Sequence, residues 1–179
     1  HTILPISDKP VRTIVDTNEG ELAFQEYFVH RHCEPIVKGF RFDGVEGAEP
    51  VPGAKEALDK ADAIIVCPSN PWVSVDPILK VIRKIDKPVV AVSPIIGGKT
   101  VKGPAAKMFN ELGIEPSALA VAEHYRNILT GFVLDNADSY LEDDVKKLDV
   151  QTLVTDTLMN HLTDRTRLAK DVLHYIGSL

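Results

Sequence analysis

The sequence has few cysteines, few aromatic residues, no block of basic residues and no long apolar run. Its two cysteines, Cys33 and Cys67, share no CxxC spacing and have no companions. That excludes a disulfide framework and suits reduced thiols in a cytoplasmic protein. Lys plus Arg number 20 against 26 Asp plus Glu, a net charge of −6, with no basic run to neutralise successive phosphates. Duplex nucleic acid is therefore not the expected main partner. The longest apolar stretches, such as Ala63 to Cys67 and Val89 to Val92, fall far short of the roughly 20 residues a membrane span needs. The opening His1-Thr2-Ile3-Leu4-Pro5 has no initiator Met and no charged leading region. It reads as the interior of a longer polypeptide rather than as a signal peptide. No internal repeat and no low-complexity segment occurs.

What is present is an ordinary globular composition of 44% apolar and 26% charged residues over 179 positions, enough for one domain with a well-buried core. Apolar β runs alternate with amphipathic stretches, which predicts an α/β fold with a mostly parallel, Rossmann-like sheet flanked by helices, built as a single domain over residues 1–179. Strands are expected at Val11 to Asp16 and Ile36 to Phe42, with a helix from Glu21 to His32 between them. Glu46 to Pro52 reads as a loop and Gly53 to Lys60 as a short helix. Ala63 to Cys67 and Val89 to Val92 read as buried parallel strands. Helices are expected at Asp76 to Ile85, Pro104 to Leu112 with Gly113 as its C-cap, and Ser117 to Leu129. Further strands fall at Phe132 to Leu134 and Gln151 to Val154. A final helix over His161 to Ile176 places Leu162, Leu168, Val172, Leu173 and Ile176 at helical spacing.

In an open parallel sheet ligands bind beyond the carboxyl ends of the strands, which directs attention to two loops. The first is Pro68-Ser69-Asn70-Pro71-Trp72-Val73-Ser74-Val75-Asp76-Pro77. Its prolines fix the backbone, Ser69, Asn70 and Ser74 offer short polar groups, and the next helix offers free N–H donors to an anion. The plainer reading is a rigid strand-to-helix turn with Ser74 or Asp76 as N-cap. Asn70, held extended by Pro71, has no helix to cap at its own position and is expected to face a ligand.

The second loop, Ser93-Pro94-Ile95-Ile96-Gly97-Gly98-Lys99-Thr100-Val101-Lys102-Gly103-Pro104, nearly matches a P-loop, with Ser93 at the first Gly position ahead of Gly98-Lys99-Thr100. A P-loop also needs a helix beginning at that Gly-Lys-Thr step. Gly103-Pro104 breaks such a helix, and Pro94 removes a donor. The segment reads instead as a Gly-rich loop approaching a ligand closely, with Lys99 or Lys102 as phosphate contacts; a surface loop without a ligand is the plainer alternative.

Other candidates carry less. His30 and His32 lie about 200° apart on a helix and do not converge on one metal. Asp135-Asn136-Ala137-Asp138 follows a strand and suits a metal or a sugar hydroxyl, yet Ser139 with Glu142 spells a capping box, so helix initiation is the preferred explanation. His124, His161 and His174 lack any nucleophile context, and no hydrolase triad is visible.

Taken together, the sequence resembles the 2-phospho-L-lactate transferase family, whose members build the deazaflavin coenzyme F-420 of methanogens and actinobacteria. The resemblance rests on Leu4-Pro5 with Asp8, on Gly20 to Val29, on Pro68-Ser69-Asn70-Pro71 with Ser74 and Pro77-Ile78-Leu79, and on Ser93 to Gly98 with Val101 to Ala105. It implies transfer of a phospholactyl group from a guanosine diphosphate-linked lactyl donor, or of a phosphoenolpyruvyl group from an enolpyruvyl donor, onto the ribityl hydroxyl of the deazaflavin Fo. GMP leaves and magnesium assists. It also implies that Ser69, Asn70, Ser74, Ser93, Gly97, Gly98 and Lys102 contact substrates, and a homodimer is the expected assembly. The family's Gly-Gly-Thr-Gly strand-to-helix turn, with the acidic residues after it, has no counterpart in this sequence, so no metal ligand and no catalytic residue is named. Two rival classes are a nucleotide-sugar-binding regulatory protein of related fold, favoured less by Pro68-Ser69-Asn70-Pro71, and a P-loop NTPase or kinase, weakened by Ser93 and Pro104.

Overall fold

Residues 2–179 are described in a computed structural model, in which the chain forms two compact units. The first comprises the chain up to Ala61, Asn70–Ile85 and Lys107–Ile114. Strands β1 (Arg12–Thr17), β2 (Gly20–Ala23) and β3 (Val37–Asp43) form an antiparallel sheet in the order β2-β1-β3. Around it lie helices α1 (Pro52–Lys60) and α2 (Asp76–Ile82), and α3 (Ala105–Glu111), which belongs to this unit from Lys107 onward.

The expected helix from Glu21 to His32 is corrected here. Its first three residues, Glu21–Ala23, belong to β2, because Thr17 and Gly20 close a tight hairpin. The Thr17 hydroxyl donates to the Gly20 carbonyl at 2.7 Å and accepts from the Glu19 N–H at 3.1 Å. Gly20 sits at φ +106°, a conformation that glycine adopts without a steric penalty. The helix itself is confined to Phe24–His30: Phe24 and Gln25 are α-helical and Glu26–His30 continue as a π-helical turn. Lys107 anchors the chain between that turn and β3: its ammonium donates to the Pro35 carbonyl at 3.1 Å and pairs with Glu111, whose other oxygen accepts the Val37 N–H at 3.0 Å. Helix α2 ends three residues earlier than expected because Arg83 turns to φ +63°. There its guanidinium donates to the carbonyls of Glu46 (2.9 Å) and Ala48 (3.2 Å), which tethers the loop before α1.

The second unit, Asp62–Ser69, Asp86–Ala106 and Glu115–Leu179, holds the parallel sheet that the apolar runs predict. Its strands β4 (Ile64–Val66), β5 (Val89–Val92), β8 (Gly131–Asp135) and β9 (Gln151–Thr155) lie in the order β4-β5-β8-β9, every pair parallel. Between β5 and β8 in sequence come a short hairpin, β6 (Ile95–Ile96) with β7 (Lys99–Thr100), and helix α4 (Ala118–Tyr125). Helices α5 (Glu142–Lys146) and α6 (Leu162–Ile176) complete the unit. Every residue of β5 and β8 is buried, as an all-apolar central strand requires. β4 is an edge strand with Ile65 41% exposed, so its apolar run does not mark a fully buried strand.

Helix α6 lays Leu168, Val172 and Tyr175 against Val90, Val92 and Val133 of the sheet. Leu162 and Leu173, expected on that face, are exposed, and Tyr175, outside the expected set, joins Leu168 and Val172 in the core. Tyr175 fits because Gly131 has no side chain: a Cβ there would stand 2.8 Å from the tyrosine hydroxyl. Helix α4 stops at Tyr125 rather than Leu129, and the Ser117 hydroxyl caps it by accepting the Ala120 N–H at 3.0 Å. The Ser139–Glu142 capping box does not form. Asp135 caps a 3-10 turn over Asn136–Leu141 instead, and Glu142 pairs with Lys146 and accepts the Thr152 hydroxyl at 2.9 Å. Among the described residues no helix is long and apolar enough to cross a membrane.

Candidate functional site

The loop after β4 divides between the units. Ser69, half-buried, closes the carboxyl end of β4 in the second unit, and Asn70 and Ser74 belong to the first. Asn70 takes the extended conformation that Pro71 imposes (φ −64°, ψ 123°), but a π-helical turn, Pro71–Val75, begins at that same proline. Asn70 is its cap. Its Oδ1 accepts the N–H groups of Trp72 (3.1 Å) and Val73 (3.3 Å), and its Nδ2 lies 3.2 Å from the Met108 sulfur. The expectation that this amide has nothing to cap is therefore corrected, as is the assignment of the cap to Ser74 or Asp76. Ser74 lies inside the turn, its N–H bonded to the Asn70 carbonyl at 3.1 Å. Two of the N–H donors that the turn would offer an anion, those of Trp72 and Val73, are already occupied. π-Turns of this kind cost hydrogen-bond quality and recur at functional positions.

Beyond β5 the chain is fastened before it turns. Ser93, 2% exposed, donates its N–H to the Val133 carbonyl at 3.0 Å. Its hydroxyl donates to the Ile95 carbonyl (2.8 Å) and accepts the Ile95 N–H (3.2 Å). The β6–β7 hairpin then reverses through Gly97 (φ +56°) and Gly98 (φ +74°), two consecutive left-handed residues. That is the geometry of a two-residue primed turn, for which paired glycines are the sequence signal. Lys99 lies in a strand rather than at a helix start, so the segment is no Walker A element. Gly97, Lys99 and Lys102 are exposed, and Gly98 is half-buried with the Pro116 carbonyl 3.5 Å from where a Cβ would stand.

A third loop, after β8, joins this edge. Asp135 Oδ1 accepts the Ala137 N–H at 2.9 Å, and its Oδ2 accepts both the N–H (2.8 Å) and the hydroxyl (3.1 Å) of Thr157, which follows β9. Asp138 is fully buried, and its two carboxylate oxygens stand 3.1 and 3.0 Å from the Gly97 N–H. Burial pushes the Asp138 carboxyl above the ordinary range, the Gly97 N–H opposes that, and the Asp135 charge adds to it. In the sequence Asp138 is hidden by the adjacent capping signature, which accounts for the local polarity without it. The signal that does mark it is an acid just past an all-apolar strand.

Five of the seven expected contact residues, Ser69, Ser93, Gly97, Gly98 and Lys102, thus fall in the second unit, on loops beyond the carboxyl ends of parallel strands. That is where open sheets bind ligands. Ser93 and Gly97 spend polar groups on the protein itself, whereas Lys99 and Lys102 are exposed. Among the described residues no three His, Cys, Asp or Glu side chains converge as a metal site. Asp135 and Asp138 point their oxygens at backbone and Thr157 donors, and His30 Nδ1 lies in hydrogen-bond contact with Glu26 Oε2 at 2.5 Å. These residues do not by themselves fit a magnesium ion.

The family model described as 2-phospho-L-lactate transferase CofD matches residues 1–175. The 2-phospho-L-lactate transferase of Methanopyrus kandleri is 42% identical over 182 aligned residues, covering 99% of this chain and 58% of that protein. Its counterpart in Methanosarcina mazei is 40% identical, over 96% of this chain and 58% of that protein, and the one in Methanocaldococcus jannaschii 35%, over 99% and 58%. The chain spans a little under three fifths of the length of these curated relatives. The family model runs through the capped turn after β4, the paired-glycine hairpin after β5 and the whole parallel sheet, so the chain belongs to the 2-phospho-L-lactate transferase family.

Proposed function

We propose that the protein to which this chain belongs transfers a 2-phospholactyl group, or its phosphoenolpyruvyl equivalent, from a guanosine diphosphate-linked donor to the deazaflavin Fo, releasing GMP. The observation that carries this reading is the family match across residues 1–175, which includes both ligand-edge loops. The chemistry of the second unit supports it. A diphosphate calls for backbone N–H groups and cations at one edge, and the hairpin after β5 sets the left-handed, half-buried Gly98 beside exposed Lys99 and Lys102. Fo calls for hydrogen-bonding groups for its ribityl hydroxyls, a role suited to Ser69. Magnesium belongs to this proposal through the family, where it would offset the donor's negative charge. No ligand for it is named and no step runs through it.

The test is direct. The full-length protein incubated with lactyl or enolpyruvyl donor, Fo and magnesium is expected to release GMP in proportion to the Fo consumed. Fo recovered unchanged with no GMP formed overturns the proposal. Comparing the two donors at equal concentration then assigns the lactyl or enolpyruvyl preference.

A further inference from the structure

The second unit holds a buried charge that stability alone does not explain. Asp138 is 0% exposed, and its carboxylate faces one neutral donor, the Gly97 N–H, from both oxygens. A buried carboxylate facing a single amide recovers less than its desolvation costs, and an apolar side chain of similar size would serve packing as well or better. What the carboxylate supplies is geometry. The β6–β7 hairpin has arms of two residues each, Ile95–Ile96 and Lys99–Thr100, too short to hold an orientation unaided. Its base is fixed by Ser93 and by the fully buried Ile95. Its tip is fixed by Asp138, 41 residues further along the chain.

We propose that Asp138 is a positioning residue: its carboxylate grips the Gly97 N–H from behind and so sets the Gly97–Gly98 turn, with the lysines after it, in register to receive the diphosphate of a guanosine diphosphate-linked donor. The inference rests on the proposed function for the identity of that donor. It also reassigns Gly97. Because its N–H is turned inward to Asp138, Gly97 is held by the protein, and contact with the phosphates falls to the Gly98 backbone and the side chains of Lys99 and Lys102. Asp135, three residues earlier, holds Thr157 in the same manner. One connection after β8 therefore secures the loops on either side of it, after β5 and after β9.

The test uses the full-length protein and three variants. Asp138→Ala removes the acceptor, Asp138→Leu fills the same buried volume without one, and Asp138→Asn keeps a single acceptor oxygen. Amide hydrogen exchange across 95–100 reads the grip, and calorimetric titration with GDP reads its use. Asp138→Ala and Asp138→Leu are expected to speed exchange of the Gly97 amide by about tenfold or more. They are also expected to weaken GDP binding and raise the KM for donor by about tenfold or more, with kcat within a few-fold. Asp138→Asn is expected to restore all three most of the way. A purely structural carboxylate would lower the melting temperature and leave GDP affinity and KM in the folded fraction unchanged, which overturns the inference. An unchanged Gly97 exchange rate overturns it as well. If Asp138→Ala does not fold, Asp138→Leu decides. A wild-type protein that binds GDP but releases no GMP from donor and Fo refutes the proposed function while the exchange and GDP titrations still judge Asp138. A wild-type protein that does not bind GDP overturns both.

Discussion

At the scale of single residues, Asn70 shows how a correct local rule leads to a wrong assignment. Pro71 does exclude a helical conformation at Asn70, as expected, but proline is also favoured at the first position of a helix, so the residue it forces to be extended becomes the cap. Asn70→Ala is accordingly expected to lower stability by about 0.5–2 kcal/mol, the usual worth of such a cap. Urea denaturation monitored by the fluorescence of Trp72, the single tryptophan, checks this. Transfer measured in the folded fraction is expected to fall by less than the tenfold that a direct ligand contact would predict. Lys99 offers the complementary case. It sits in a strand, so it lacks the phosphate-wrapping geometry of a P-loop lysine. Because Lys99 is exposed, Lys99→Ala is expected to remove one solvent-screened phosphate contact and weaken GDP binding by only a few-fold, whereas loss of a P-loop lysine would remove about 1.5–3 kcal/mol. A loss of a hundredfold in an equilibrium titration would restore the NTPase reading.

Individual elements differ in how legible they are, for physical reasons. β5 and β8 are buried on both faces, so their composition alone marks them. The β6–β7 hairpin is equally well signalled by Gly97-Gly98, but the same glycines before Lys99-Thr100 also spell a phosphate loop, and that likeness masks the turn. The stretch from Gly20 misleads through its amphipathic spacing, which a hairpin overrides once Thr17 and Gly20 meet. Helix α6 starts within one residue of the expected position, and its capping acid accounts for that. The N–H groups of His161 (2.8 Å) and Asn160 (3.0 Å) both donate to Asp164, which holds its carboxyl below the ordinary range. A carboxyl with a lowered pKa in the fold stabilises while it is charged in both states, so its contribution is intact above the unfolded value of 3.8 and is lost as pH falls through the folded value. Wild-type protein is therefore expected to melt higher than Asp164→Asn at neutral pH. That advantage should shrink toward zero below about pH 4, as read by paired thermal melts.

For the molecule as a whole, order along the chain and order in exposure do not coincide. β5 and β8 are the inner strands, and β4 and β9 the outer ones. Amide exchange is expected to be slowest in β5 and β8 and faster in β4, where Ile65 faces out, and in β2, three of whose four residues are exposed. Comparable rates in β4 and β8 would contradict this ranking. The fold class is readable because apolar runs dictate a parallel sheet. The partition into two units is not, since the segments of each unit interleave along the chain and no composition shift marks where they change over. The cover that α6 provides has a further consequence for how the protein is made. A ribosome delivers β5 and β8 well before Leu168, Val172 and Tyr175. Until those residues emerge, Val90, Val92 and Val133 have no lid. The nascent chain thus carries a bare apolar sheet face through roughly forty codons of synthesis after β8, the interval in which holdase chaperones have a surface to bind.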